Sequence, residues 1–292
     1  MYLDHQIEKK PKLAEDTAKG REFRTQIGRL NDFFGDDVIS DLNGERCRAF
    51  ARQRTTASMA RKELQLFRAA IGHWHTEYVL PMVPTIVLPP KGPARHRWLT
   101  RDEAAKLIWA FWRMKHPRTG VRTGAHLARF MLIAMYTGTR EGAVISLQWQ
   151  PNLSGGYIDL DAGVIYRARD GEEKTKKRKP PFKIPNRLLP HLRRWKRRSN
   201  LPWVVHYNGQ PISRANNSAW RKGVAAAGLA GTDVMVHTLR HTCATWLMQG
   251  GRSGNPKPVY EVAGFLGMKV EMLEDVYGHH HPDYQNNVAE AF

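Results

Sequence analysis

The chain has 292 residues, 41% of them hydrophobic and 10% aromatic, enough apolar material for two packed cores and too much for wholesale disorder. Its 46 Lys+Arg against 27 Asp+Glu leave a net charge of +19 and a pI near 10.2, a field suited to a polyanion whose phosphates release counterions when they are neutralised. Two distant cysteines, Cys47 and Cys243, exclude a disulfide framework and a thiolate metal site. With no leader pattern and no apolar run near the ~18 residues a bilayer requires, the sequence predicts a protein that stays in the cytoplasm, away from membranes.

In chain order, apolar residues at helical spacing predict a helix over 15–34 (Phe23, Ile27, Leu30, Phe33, Phe34) that closes at Gly35. A second helix follows with Asp41 as its cap, running through Leu42, Cys47 and Phe50. A longer third begins near Thr56, with Met59, Leu64, Phe67, Ala70, Ile71 and Trp74 on one face and Arg61, Lys62 and Arg68 on the other. The latter face suits either solvent or phosphates. Pro84, Pro89, Pro90 and Pro93 with Gly92 make an extended connection, and the domain boundary is expected near residue 95. The expected division is 1–90, a 91–97 linker, and 98–292.

Thr100-Arg101-Asp102-Glu103 is a capping box ahead of Leu107, Ile108, Phe111 and Trp112. A helix over about 124–137 breaks at Thr137-Gly138, and a short amphipathic one is expected from Glu141 to Trp149. Tyr157–Leu160 and Val164–Tyr166 read as a hairpin around Asp161-Ala162-Gly163, with Phe182–Ile184 as a third strand. Between the second and third strands lies a run from Glu172 to Lys179, too charged to bury. From Pro185 helical patterns dominate. The fold class is therefore mainly α with a small antiparallel β-sheet, in two domains.

Three late motifs carry chemistry: Thr137-Gly138-Thr139-Arg140, His237-Thr238-Leu239-Arg240-His241, and Leu266-Gly267-Met268 followed nine residues on by Tyr277. Arginine pairs bidentately with phosphate oxygens and keeps its charge. A tyrosine, once relieved of a proton with a pKa of about 10, can form a phosphate ester. Walker and dinucleotide glycine motifs are absent, so no ATP or NAD is expected. The tract His279-His280-His281 lacks a spaced carboxylate or cysteine and is not read as a metal site. No cofactor is expected.

In order and separation these motifs resemble the tyrosine recombinases, or phage integrases, across about residues 96–292, with a weaker likeness of helical pattern before that. The resemblance implies a helical core-binding domain and a catalytic domain clamping double-stranded DNA. Arg140 and Arg240 would hold the scissile phosphate, and Tyr277 would form a 3′-phosphotyrosine. His237 would assist proton transfer. Lys174, with Lys176 close behind, would protonate the leaving 5′-oxygen. It further implies a homotetramer on paired sites with a Holliday-junction intermediate, a bacterial nucleoid setting, and an excisionase or DNA-bending partner. Residues 282–292 would form a tail that docks on a neighbour. The chain is expected to begin directly with the core-binding domain.

Two positions depart from the family pattern. Met268 stands where a histidine or tryptophan usually donates to the phosphate, and a thioether cannot donate; His279 or His280 would have to supply that bond. Ala143 stands where an acid often braces the site, with Glu141 nearby. These departures keep open a weakly active or inactive DNA-binding accessory protein of the same fold, and a type IB topoisomerase-like enzyme.

Overall fold

The computed structural model describes residues 2–93, 96–172, 178–251 and 254–281. It divides into two compact units, Met1–Arg95 and His96–Phe292.

The first unit contains α1 (Tyr2–Lys9), α2 (Ala18–Phe34), α3 (Gly44–Arg52) and α4 (Ala57–Glu77). Thr17, Asn43 and Thr56 cap the last three by accepting a backbone N–H of the first turn. The α3 cap is thus Asn43, while Asp41 belongs to a preceding 3₁₀ turn, Ile39–Asp41. Leu30, Phe34, Cys47, Phe50 and Leu64 form the core, together with Ile86 from the proline-rich segment. Phe34 stacks on Phe67 at 4.5 Å. The expected apolar face of α4 is only partly right. Met59 and Trp74 are exposed, whereas Ala60 and Glu63 are buried. Glu63 is tolerated inside because Arg54 and Arg29 reach it at 2.8 and 3.1 Å.

In the second unit α5 (Arg101–Arg113) starts with the full Thr100/Glu103 capping box. It packs against α6 (Ala125–Thr137), which ends at Gly138 in the left-handed region. Next comes α7 (Glu141–Ile145), shorter than expected. Its continuation is diverted into sheet pairing, with Ile158 N–H donating to the Gln148 carbonyl and Val204 N–H to that of Leu147. Strands β1 (Tyr157–Asp159), β2 (Val164–Tyr166) and β3 (Phe182–Lys183) form an antiparallel sheet in that order, with Ile158 opposite Ile165.

Helix α8 (Leu189–Arg197) leads to a second hairpin, β4 (His206–Tyr207) with β5 (Gln210–Pro211), turning through Asn208 and Gly209. Helical periodicity after Pro185 concealed this hairpin, so the expectation of a single sheet is corrected. Then follow α9 (Ser218–Ala226), α10 (Thr238–Met248), α11 (Val259–Leu266), α12 (Val270–Tyr277) and a 3₁₀ turn, Gly278–His280. The main core joins α5, α6, the first sheet, α8 and α9. A second cluster gathers Cys243, Ala244, Val262, Leu266, Leu273 and Tyr277. No helix among the described residues is long and apolar enough to cross a membrane.

Candidate active site

Two glycines set the frame. Gly138 has φ +60° and closes α6; a methyl group there would run into Leu266 Cδ2. Gly267 has φ +64° and closes α11; a methyl there would lie 2.8 Å from Pro180 Cδ and 2.9 Å from the Arg178 carbonyl. Both positions need a residue that accepts the left-handed conformation without a side chain. The end of α6, the end of α11 and residues 178–180 therefore meet, and Arg140 emerges from that junction.

Helix α10 runs through the same region. It is buried on most of its circumference, so Arg240 is only 5% exposed. Its Nη1 donates to the Gly138 carbonyl at 2.5 Å, while Nη2 is buried and keeps an unused donor. Burial, then the charge of Arg140, pushes the guanidinium down to about 10, so it stays cationic at neutral pH.

A third arginine, Arg167 just after β2, is one that sequence reasoning missed. It is 4% exposed and has no carboxylate partner among the described residues. Its Nε donates to Thr139 Oγ1 at 2.9 Å. Nη2 donates to the Thr137 carbonyl and Nη1 to the Phe265 carbonyl, each at 2.7 Å. Its plane lies 3.9 Å from the Phe182 ring centroid. Burial, then Arg240 and Arg140, pushes it down to about 9. A lone arginine after a short strand carries no sequence signal of this role.

Arg140, Arg167, Arg178, Lys179 and Arg240 line a cavity of about 300 Å³ together with Thr139, Gly142, Ala143 and Leu266. No described lining residue is acidic. Lys179 is itself paired with Glu172 at 2.5 Å. Of the charged run, Lys174 and Lys176 lie outside the described residues, as does the expected tail at 282–292. Glu141 does not turn to the cavity. Its Oε1 accepts the backbone N–H groups of Ala215 and Asn216 at 2.6 and 3.1 Å, anchoring the loop ahead of α9.

Tyr277 ends α12 and is 6% exposed. Its hydroxyl lies 2.6 Å from His241 Nδ1, one residue after Arg240. Burial pushes the phenol up to about 12, against the opposing pull of Arg240. His237 stands at the N-terminus of α10 without capping it, its ring edge-on to His241 at 4.8 Å. Burial, then Arg240 and Arg140, lowers its pKa. His241 is lowered to about 4, by burial first and then by His237, His96 and Arg240. His241, the last residue of the His237–His241 motif, thus sits on the phenol itself.

Met268 packs into the apolar cluster that contains Tyr277. His279 is exposed and rests against His280, whose ring meets Trp98 edge-on. Among the described residues no three His, Cys, Asp or Glu side chains come together as a metal site.

The cavity gathers guanidinium groups with no acid in its described lining, while the Tyr277 phenol, outside that lining, is bonded to His241, the chain neighbour of Arg240. The phage integrase family model matches residues 97–281, more than half of the chain. This chain belongs to the phage integrase family.

The integrase of Salmonella phage P22 is 28% identical over 199 residues, which is 64% of this chain but 45% of that protein, so under half of that relative's length is matched. Among solved structures, a lambda integrase dimer bound to a COC′ core site is 17% identical at a TM-score of 0.66, covering 94% of this chain and 76% of that one. The Tn1549 transposon integrase, in complex with a circular intermediate DNA, is 12% identical at 0.70, covering 99% and 98%. The XerH recombinase bound to palindromic difH is 13% identical at 0.61, covering 90% and 77%. These structures share the fold: mostly helical, with small antiparallel sheets. The resemblance to tyrosine recombinases drawn from the sequence motifs is borne out.

Proposed function

We propose that this family member is a site-specific DNA recombinase that cuts and rejoins strands through a 3′-phosphotyrosine. The observation that carries the reading is the cavity lined by Arg140, Arg167, Arg178, Lys179 and Arg240, with the Tyr277 hydroxyl bonded to His241, the chain neighbour of Arg240. A phosphodiester is the charge complement of such a site. Arg140 and the unused Nη2 donor of Arg240 bind the non-bridging oxygens. Tyr277 attacks phosphorus in line with the departing 5′-oxygen. His237 moves protons at the site, and Lys174 protonates the leaving oxygen. Met268 supplies no donor, and the cations Arg178 and Lys179 make up part of that deficit.

The finer assembly belongs to the same proposal. Four protomers act on two double-stranded DNA sites, with a Holliday junction between strand exchanges. An excisionase or DNA-bending partner sets direction, and the reaction takes place on the nucleoid in a bacterial cytoplasm. The net charge of +19 supports a DNA partner.

The test uses duplexes tiled across the DNA that flanks the gene, each nicked so that the fragment bearing the freed 5′-hydroxyl diffuses away. Wild type is expected to become covalently attached to one of them, and Tyr277→Phe to bind that duplex without attachment. Failure of wild type to attach to any duplex, or attachment that survives in Tyr277→Phe, removes the proposal.

A further inference from the structure

Among the described residues His237 makes no hydrogen bond to the Tyr277 hydroxyl, and the phenol proton needs an acceptor in contact with it, because burial disfavours the phenolate. The group in contact with that proton is His241 Nδ1, 2.6 Å from the Tyr277 oxygen. His241 also occupies the α10 position next to Arg240, so one turn of helix carries both a phosphate ligand and the phenol's partner.

We propose that His241 is the general base that removes the Tyr277 proton during strand cleavage and returns it during rejoining. The inference rests on the recombinase reading. In cleavage the Tyr277 oxygen bonds to phosphorus while its proton passes to Nδ1. The P–O5′ bond breaks, and the 5′-oxygen takes its proton from a separate acid. In rejoining, the incoming 5′-hydroxyl loses its proton to that acid's conjugate base, and imidazolium Nδ1–H protonates the departing phenol. Protons and charges balance without a co-reactant.

The surroundings suit the role. His241 is neutral at neutral pH, held so by burial and by His237, His96 and Arg240. Its ring also faces Tyr277 from α12, and the 3₁₀ turn with His279 and His280 packs against α10. A neutral imidazole with a free Nδ1 lone pair is an acceptor, which an imidazolium is not. The negative charge of an arriving phosphodiester raises the basicity of His241 at the moment it is needed. Because the proton leaves as the P–O bond forms, no free buried phenolate has to exist beforehand.

Asparagine at 241 separates a base from a mere positioning contact. Its Oδ1 stands near the place of Nδ1 and accepts the same hydrogen bond, but it cannot take a proton. On the duplex captured by wild type, His241→Asn is expected to bind normally and cleave at least ~100-fold more slowly at pH 7. Its log rate should climb with pH at a slope near one, against a shallow wild-type profile between pH 6 and 9. The loss should persist on a duplex with a 5′-bridging phosphorothiolate, whose sulfur leaves without a proton.

Wild-type rate and profile in His241→Asn, or recovery on the phosphorothiolate, would overturn the assignment while leaving the recombinase reading intact. Wild type that captures no duplex sinks both. A measurement on the unaltered protein stands independently of how the variant folds. Nitrogen-15 NMR should show His241 as the Nε2–H tautomer at pH 7, with Nδ1 unprotonated and hydrogen-bonded; an Nδ1–H tautomer overturns the proposal.

Discussion

Arg167 holds its charge inside the protein against the charges of Arg240 and Arg140, and it does so through neutral acceptors. A buried cation without a counterion normally costs several kcal/mol. Here the guanidinium fork ties Thr137 and Thr139, just ahead of Arg140, to Phe265, just ahead of Leu266-Gly267. Two effects compete in Arg167→Met: release of the cation's burial cost together with its like-charge repulsion, and the orphaning of the Thr137 and Phe265 carbonyls and the Thr139 hydroxyl at roughly 1–3 kcal/mol each. The second should win, with a net loss of about 2 kcal/mol in urea unfolding. Arg167→Lys should not restore it, since one ammonium cannot reach the four acceptors spread along a guanidinium. Unchanged unfolding in Arg167→Met would mean that Phe182 and Phe265 alone hold the junction. None of this could be read beforehand, because Arg167 follows a three-residue strand whose alternation assigns it no side.

At the scale of elements, legibility followed locality. The α5 start was readable because Thr100 and Glu103 satisfy each other's backbone within four residues. The end of α6 was readable because Thr137-Gly138 breaks an apolar run at the one residue type that tolerates φ +60°. The early stop of α7 was not readable, since it depends on pairing with distant chain such as Pro202 and Val204. The β4–β5 hairpin is local and turns at Asn208-Gly209, a legible hairpin signal flanked by strands of only two residues. The cap of α3 was misplaced by two residues, because Asp41 and Asn43 are both good caps and only the path of the chain chooses between them. Of the site, the motifs announced Arg140, His237, Arg240 and Tyr277 as residues. Their company, Arg167 and the bond between His241 and the phenol, came only from the fold.

This contrast predicts two different alanine phenotypes. Thr100→Ala loses a cap and should cost about 1 kcal/mol, with cleavage unchanged. Gly138→Ala adds a left-handed alanine, about 1–2 kcal/mol, and displaces Leu266 as well. It should also slow covalent attachment to DNA, because the Gly138 carbonyl positions Arg240. Equal cleavage rates in the two variants would separate the glycine from the site.

Over the whole molecule the positive charge is not spread evenly. Helix α8 and the residue that follows it bury Leu192 and Trp195 and expose Arg193, Arg194, Lys196, Arg197 and Arg198. Arg194 bonds only the His191 ring and Lys196 lies over Trp149, so among the described residues no carboxylate neutralises this row. Basic residues in the last turn of a helix favour its C-terminal dipole, which explains one or two of them; a row this dense exceeds that need. Such a surface is suited to following a phosphate backbone. DNA affinity should fall steeply with salt, about 10³–10⁵-fold between 50 and 200 mM if roughly 6–10 phosphates are bound. Replacing Arg193, Arg194 and Arg197 by alanine should make the log–log slope shallower by about 0.9 for every phosphate that is no longer neutralised. Tyr277-dependent chemistry on an already bound duplex should be spared, because these side chains do not line the arginine cavity. A salt slope identical to wild type would assign the row to solvent and shift the burden of DNA binding to the cavity cations and the first unit.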